Sequence, residues 1–472
     1  MNKYDEFKEH LAVSLEKFKE LDKKETIRLV SHLDCDGICA AAIMIRALNT
    51  DNRKYSVSIV QQLTNDIIDS LSKEPYNYFI FTDLGSGQLS YIKEKFVGKQ
   101  VFIFDHHKPE KVKLTSNIVH VNPHLAEIDG GNEISGAGVV YLFVKSLNKK
   151  VEDLAHIAVI GSIGDVQEGK SGFAGLNKEI LDLAVKKKKI KVIKGLRIFG
   201  AQTRPLHKVL EYCMDPYIPG VSGSESGAIQ FLQQIGVEPK NGKEWRKIVH
   251  LDEEEIKKLV SGIILRRLSE DSPEDVLGDV YILNEEEKES PFRDAKEFST
   301  LLNACGRLEK ASFGIGACLG DIKNKEMAIK NLNCYKRELI NAINWYNENK
   351  DNGGIIKGDG YMILNAGGNI RASIIGTLAS IISKSNEIKD GTFILSMADM
   401  MNGYYKASLR VSGRNKEMDL RELVKKISEK VDGEAGGHMN AAGAMIKEEK
   451  VDEFVKIAKE VLNKSSLEEV VH

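Results

Sequence analysis

Short apolar runs recur through the first third of the chain, and several of them stop on acidic or imidazole side chains. Thr26–Ser31, Val57–Val60, Tyr76–Thr82, Val101–Phe104 and Ile118–Val121 are rich in β-branched and aromatic residues, the composition of buried strands. Phe7, Leu11, Leu15, Phe18 and Leu21 share one face of a helix predicted over residues 5–24. Ile38–Leu48 is an apolar helix whose small residues Gly37, Ala40 and Ala41 allow close approach to a sheet, and residues 139–147 and 151–164 read as further helices. Strand and helix alternate, which predicts a parallel sheet with crossover helices.

From residue 196 to about 345 that alternation stops. Pro216, Pro219 and the Gly/Ser cluster at 220–227 punctuate a mostly helical region with charged helices at Asp252–Arg267 and Cys334–Lys350. Asp351–Gly354 is the clearest linker. Strands are predicted at Tyr361–Asn365, Phe393–Met397 and Tyr404–Ser412, with an apolar helix ending near Ile382 and two helices flanking a glycine loop at Gly436, Gly437 and His438. The expected fold class is α/β in three parts: a parallel-sheet domain over 1–195, a helical insert with a connector helix over 196–350, and a smaller α/β domain over 355–472.

The chemistry sits where apolar segments end. The first strand runs into His32, Asp34, Cys35 and Asp36, the third into Asp83, the fourth into Asp105, His106 and His107, and the apolar helix Ile157–Gly164 into Asp165. A lone aspartate after a strand is an ordinary cap or turn residue. Four such endings predict one acidic cluster at one sheet edge, where ligands gather in open parallel sheets. Carboxylates and imidazoles without thiolates favour Mn²⁺ or Mg²⁺. The six cysteines, at 35, 39, 213, 305, 318 and 334, form no Cys-x-x-Cys, so neither a zinc site nor a disulfide framework is expected. Cys35, between two aspartates, reads as a packing residue.

Other features have two readings. Ser135 and Gly136 open a helix and are either an ordinary cap or an anion site. The lysine run within Leu183–Gly195 is a solvated face, or lines a nucleic-acid groove together with Arg197, Arg204 and Lys208. Lys406, Ser408, Arg410 and Ser412 alternate with Ala407, Leu409 and Val411, which gives one basic, polar strand face that is either solvated or phosphate-binding. The net charge of −2 argues against a general duplex binder, so any basic groove must be local. Hydrophobic content of 42% fits a globular chain, no run has the length of a membrane span, and the charged N-terminus is unlike a signal peptide, so a cytoplasmic location is expected.

The series Asp34, Asp36, Asp83, Asp105-His106-His107 and Asp165 resembles the DHH phosphoesterase superfamily, and Gly436–Gly443 is similar to the glycine-rich motif of the DHH-associated domain. Leu301–Arg307 and Gly200–Pro205 resemble the archaeal RecJ-like single-strand nucleases of the GINS-associated group. The resemblance implies two ions, Mn²⁺ or alternatively Mg²⁺, with Asp83 bridging, Asp36, His106 and Asp165 around one ion and Asp34 at the other. It implies that Asp105 orients a histidine and that His107 meets the scissile phosphate. Some family members carry a histidine four residues before the first aspartate. That position is Val30 here, so His32 is either a ligand or a group supporting one.

Ser135, Gly136, Arg371, Lys406, Arg410, Arg414, Gly436, Gly437 and His438 are the implied substrate contacts. The implied activity is a metal-dependent exonuclease on single-stranded nucleic acid, DNA from the 5′ end, in replication or repair, with the GINS complex as a partner. The alternatives are a phosphodiesterase on short oligoribonucleotides or cyclic dinucleotides, and a catalytically silent replication scaffold. The long insert speaks against the first alternative and the intact ligand series against the second.

Overall fold

The computed structural model describes residues 2–270, 272–385, 387–413 and 418–470. The chain divides into two compact units, Met1–Leu332 and Asn333–His472.

The first unit starts with α1 (Lys3–Lys19), β1 (Ile27–His32), α2 (Cys35–Thr50), β2 (Tyr55–Val60), α3 (Asn65–Ser72), β3 (Tyr78–Thr82), α4 (Leu89–Lys95), β4 (Gln100–Phe104) and β5 (Ile118–Val121). The five strands pair in parallel in the order β2-β1-β3-β4-β5. The order reverses between β1 and β3, so the chain leaves the sheet in opposite directions from adjacent strands and opens a crevice at their carboxyl ends. Alternation decides the layers. Phe79, Phe81, Val101 and Ile103 point to α3 and α4, where Phe96 meets Phe79 and Phe81 edge to face. Phe102 and Phe104 point the other way, to Phe18 of α1 and Phe143 of α5 (Gly136–Leu147). On that second face α5 packs with α2 and with α6 (Ala155–Gly164).

After α7 (Gly175–Lys186) the lysine run departs from expectation. It continues as β6 (Ile190–Leu196), which pairs antiparallel with β9 (Leu277–Leu283) once the chain has passed through α8 (Leu206–Glu211), α9 (Glu225–Gln234), the short β7 (Lys240–Asn241) and β8 (Glu244–Trp245), and α10 (Glu253–Arg266). Ile190 and Leu196 are buried while Lys191 and Lys194 face out. Lys187, Lys189 and Lys194 are each paired, to Glu152, Glu285 and Asp279. The inserted region is thus helical around its own apolar core but is hung on a two-stranded ribbon. The chain then returns through α11 (Ala295–Arg307) and α12 (Ala311–Cys318) to pack on α2 and α6, before α13 (Ile322–Asn349).

The second unit holds β10 (Ile355–Gly358), β11 (Tyr361–Asn365), α14 (Ala372–Ser383), β12 (Phe393–Asp399), β13 (Tyr404–Val411), α15 (Leu420–Ser428), β14 (Glu434–His438), β15 (Ala441–Lys447) and α16 (Val451–Val470). Its sheet is mixed, in the order β10-β11-β12-β13-β15-β14. Two expectations fail here. The polar face of β13 is covered, because α14 lies on it: Ser408 and Ser412 are buried, and Arg410 is tied to the Ser380 hydroxyl and the Leu409 carbonyl. Gly436 and Gly437 are not in a loop between helices. They belong to the edge strand β14, paired with Gly443 and Ala442 of β15.

The aromatic layer yields a stability test. Phe79→Ala removes a fully buried ring that touches Phe81, Phe96 and Tyr76. It should lower the unfolding free energy of the first unit by about 3–5 kcal/mol in urea denaturation. A change below about 1 kcal/mol would show that this face is not a packed core.

Candidate metal centre

β1, β3 and β4 are neighbours, so their carboxyl ends lie side by side at a strand spacing of roughly 4.8 Å. His32 ends β1, Asp83 follows β3 and Asp105 follows β4. Asp34 caps α2 by accepting the Gly37 N–H at 3.0 Å, which places Asp36 in the first turn of that helix. Asp165 caps the C-terminus of α6. The expected cluster therefore forms at the point where the strand order reverses.

Two sets of ligand atoms converge there, each lying within 4.8 Å of one another: His32, Asp34 and Asp83 in one, Asp36, His106 and Asp165 in the other. Asp83 also groups with Asp105, His106 and His107, so it stands between the two sets. The Asp83 oxygens are 3.3 Å from His106 Nε2 and 3.5 Å from His32 Nδ1, and His32 Nδ1 is 3.0 Å from Asp34. Both Asp83 oxygens, His106 Nε2 and His32 Nδ1 are buried without a hydrogen-bond partner among the described residues. Buried polar atoms left unpaired are costly, and such a set of hard oxygens and imidazole nitrogens fits a divalent cation such as Mn²⁺ or Mg²⁺. Val30 lies in the apolar layer under α3 and α4, and His32 is the histidine that reaches the cluster.

The surroundings fix each group. Asp105 accepts the N–H groups of Ser86 at 2.9 Å and His106 at 2.8 Å, and the Nδ1–H of His107 at 2.7 Å, so it orients His107. The Gly130 carbonyl, 2.6 Å from His106 Nδ1, accepts a hydrogen bond from that nitrogen and turns Nε2 to the carboxylates. Asp36 accepts the Gly136 and Ala137 N–H groups at 2.6 and 3.1 Å. The start of α5 is thus an anion site filled by the protein's own carboxylate, and the expected contact of Ser135 and Gly136 with substrate phosphate is displaced. Ser135 is buried and caps Gly138. A Cβ on Gly136 would lie 2.5 Å from an Asp83 oxygen, so glycine is required there.

Charge is redistributed accordingly. Burial pushes the Asp36 carboxyl well above its usual range, helped by the neighbouring Asp83. Burial acts against ionisation of Asp34 too, yet His32 and the Gly37 N–H hold it well below the carboxylate range, and His107 does the same for Asp105. Burial disfavours the cations of His32 and His106, but the adjoining carboxylates raise both well above the ordinary histidine value.

Gln167, Asn177 and Ser162 support the site without a sequence signal, and Asn303, within the stretch Leu301–Arg307, supports it too. Gln167 is buried and donates from Nε2 to Asp165 and to the Gly130 carbonyl, both at 2.8 Å, while its Oε1 accepts from Asn177 at 2.7 Å. The Ser162 hydroxyl donates to Asn177 in turn, at 2.8 Å. Asn303 of α11 accepts the Cys35 N–H at 3.0 Å and so holds the loop between the two aspartates. Cys35 itself packs beside the Ile160 carbonyl of α6.

The expected substrate residues of the second unit are dispersed. Arg371 is exposed, its nearest carboxylate Glu338 at 3.9 Å, and Lys406 and Arg410 lie on β13. Gly436 and Gly437 are exposed on the β14 edge. Arg414 and the side chain of His438 lie outside the described residues.

Family models match three stretches: the DHH family, N-terminal domain over 26–162, the DHH-CID domain over 198–280 and the DHHA1 domain over 358–464. The chain is 31% identical over 466 residues to an uncharacterised protein of Methanocaldococcus jannaschii, covering 95% of this chain and 98% of that one. It is similar in structure to CDC45 from Entamoeba histolytica, at 12% identity, 98% and 99% coverage and a TM-score of 0.64. It is also similar to RecJ in complex with Mn²⁺ from Thermus thermophilus, at 17% identity and a TM-score of 0.57. That match covers 98% of this chain and 55% of the RecJ chain, so this chain spans about half the length of that structure. At these identities the likeness is one of fold.

Two predictions follow from the geometry. Asp83→Asn relieves crowding among carboxylates. Without metal the variant should melt about 1–2 °C higher than the parent, the shift of roughly 1 kcal/mol in a unit of this size, and should lose the rise in Tm that Mn²⁺ produces in the parent. An Mn²⁺-dependent rise as large as the parent's would remove Asp83 from the ligand set. Gln167→Leu should weaken Mn²⁺ binding about 10–100-fold in isothermal titration of the full chain. An unaltered Kd would mean that Asp165 and His106 hold their places without it.

Proposed function

The chain belongs to the DHH superfamily and is RecJ-like in fold, and from that premise we propose that it is a metal-dependent exonuclease acting on single-stranded nucleic acid, DNA from the 5′ end in replication or repair. The observation that carries this reading is the pair of ligand sets meeting at Asp83, whose buried oxygens make no hydrogen bond among the described residues. We assign Asp36, His106 and Asp165 to one divalent ion, and Asp34 and His32 to a second, with Asp83 shared. When bound, Mn²⁺ or Mg²⁺ would supply Lewis-acid stabilisation of a scissile phosphate and lower the pKa of an attacking water.

The chain's own residues do the rest. Asp105 holds His107 Nδ1–H and, although burial opposes the cation, raises the His107 pKa, which suits that ring to stabilising negative charge as it builds on a phosphate oxygen. The Gly130 carbonyl and Gln167 keep His106 and Asp165 aimed inward. In the second unit, Arg371 and the exposed glycine backbone of β14 are the proposed substrate contacts, glycine allowing a backbone phosphate close to main-chain N–H groups.

A replication scaffold docking on the GINS complex is the second reading, supported by the CDC45-like fold. The two stretches that suggested it serve other ends: Asn303 supports the acidic loop, and Gln202 and Thr203 bond to Glu297. Among the described residues no helix is long and apolar enough to cross a membrane.

End-labelled single-stranded DNA and RNA, blunt duplex and cyclic dinucleotides, each incubated with Mn²⁺, Mg²⁺ or EDTA, decide among these readings. The expected result is stepwise, metal-dependent shortening of single strands and no attack on duplex. Cleavage confined to cyclic dinucleotides or the shortest fragments would favour the small-substrate enzyme. No cleavage of any substrate would leave the scaffold.

A further inference from the structure

Among the basic groups that the sequence left open as a nucleic-acid groove, most are occupied. Arg197 pairs with Glu168, and Lys208 pairs with Glu211 and Glu225. The deeply set guanidiniums of Arg28, Arg53, Arg246 and Arg267 each hold a carboxylate. Arg204 differs. Its guanidinium lies 4.7 Å from the Phe199 ring centroid and 5.4 Å from that of Tyr212, and makes no side-chain hydrogen bond or ion pair among the described residues. Burial pulls its pKa down, and the opposing carboxylate, Glu297, is already bonded by the Gln202 N–H and the Thr203 hydroxyl.

The local chain is shaped for this placement. Gly200 has φ +96°, and a Cβ there would lie 2.6 Å from Arg204 Cδ, so only glycine lets the arginine stem fold back over the loop. Arg204 and Tyr212 flank α8, Arg204 just before its N-cap Pro205 and Tyr212 at its C-cap, and Tyr212 is 54% exposed. The loop is anchored through Glu297 to the first turn of α11, and Asn303, six residues further along that helix, holds the Asp34–Asp36 loop. Six residues of helix span about 9 Å, less than two turns.

A guanidinium whose faces are stacked and whose donor edge has no acceptor is a preformed fork for a phosphate. An exposed ring beside it offers the face on which a base stacks whatever its sequence. We propose that Arg204 and Tyr212 form a subsite for single-stranded nucleic acid near the acidic loop, Arg204 taking a backbone phosphate and Tyr212 a base. This rests on the nuclease reading above and adds to it a site in the inserted region.

The test is fluorescence anisotropy of the full chain with labelled DNA and RNA strands of about a dozen nucleotides, in EDTA to prevent cleavage, over a range of salt. Tyr212→Ala, at an exposed position, should weaken binding about tenfold, within the range of one lost stacking contact, and leave the salt dependence unchanged. On an abasic strand that loss should vanish. Arg204→Gln should weaken binding and also reduce the slope of log K against log salt by about 0.7, the signature of one lost phosphate contact. With Mn²⁺ present, kcat/KM on the long strand should fall relative to that on a dinucleotide in both variants. Parent-like affinity and slope in both variants would overturn the subsite while the nuclease reading stands. A parent that binds neither DNA nor RNA strands would overturn both. Should Arg204→Gln fail to fold, as judged by circular dichroism, parent-like affinity in Tyr212→Ala alone overturns the proposal.

Discussion

Three parallel strands side by side, each ending in a carboxylate or an imidazole, set the constraint on which this structure depends. Backbone pairing brings those ends to within one strand spacing of each other, roughly 4.8 Å, whatever the side chains prefer. Two like charges at about 4 Å repel by about 4 kcal/mol in the effective dielectric of a protein. The fold answers with partial positive charge. Asp34 caps α2 and Asp36 lies on the first N–H groups of α5, so two helix starts face two of the carboxylates. His32 and His106 provide imidazoles whose basicity is raised by the same crowding. The oxygens of Asp83 accept no helix-start N–H and no other hydrogen bond among the described residues, which is why the centre of the cluster suits a cation.

Precision comes from the layer behind the ligands. Asp105, Ser86, Asn122 and His107 form one continuous set of hydrogen bonds under the β4 end, and Gln167, Asn177, Ser162 and Ser135 form another under Asp165. Each network is anchored on strand or helix ends that the aromatic core makes rigid, the arrangement that holds ligand atoms within a fraction of an ångström.

The inserted region is joined to this centre rather than appended to it. The chain leaves through β6, builds a separate apolar core, and returns through β9 and α11 to support the loop between Asp34 and Asp36. One helix therefore carries Glu297, which anchors the Gly200–Arg204 loop, and Asn303, which anchors the acidic loop. In the second unit the opposite economy holds. Helices cover both sheet faces, α14 on one and α15 with α16 on the other, and leave the glycine backbone of β14 as an open edge.

The chain's apolar periodicity and the residues at the ends of its apolar runs were sufficient to place the parallel sheet and the cluster of Asp34, Asp36, Asp83, His106 and Asp165, because strand alternation and parallel pairing are short-range rules that any stretch of sequence displays. The lysine run did not disclose that it becomes β6, since its partner β9 is more than eighty residues away. Ser135 and Gly136 read as an anion site, and one is present; only the packing of α2 against α5 decided that the anion is Asp36. Ser408 and Ser412 read as an open face until α14 covered it, and Gly436 and Gly437 read as a loop until β15 paired with them. Gln167 stood in the sequence as an ordinary polar residue, and nothing there separated Arg204 from its paired neighbours Arg197 and Lys208. A hydrogen bond, an ion pair or its absence depends on which distant atoms arrive at the same point, and that is settled by the tertiary structure alone.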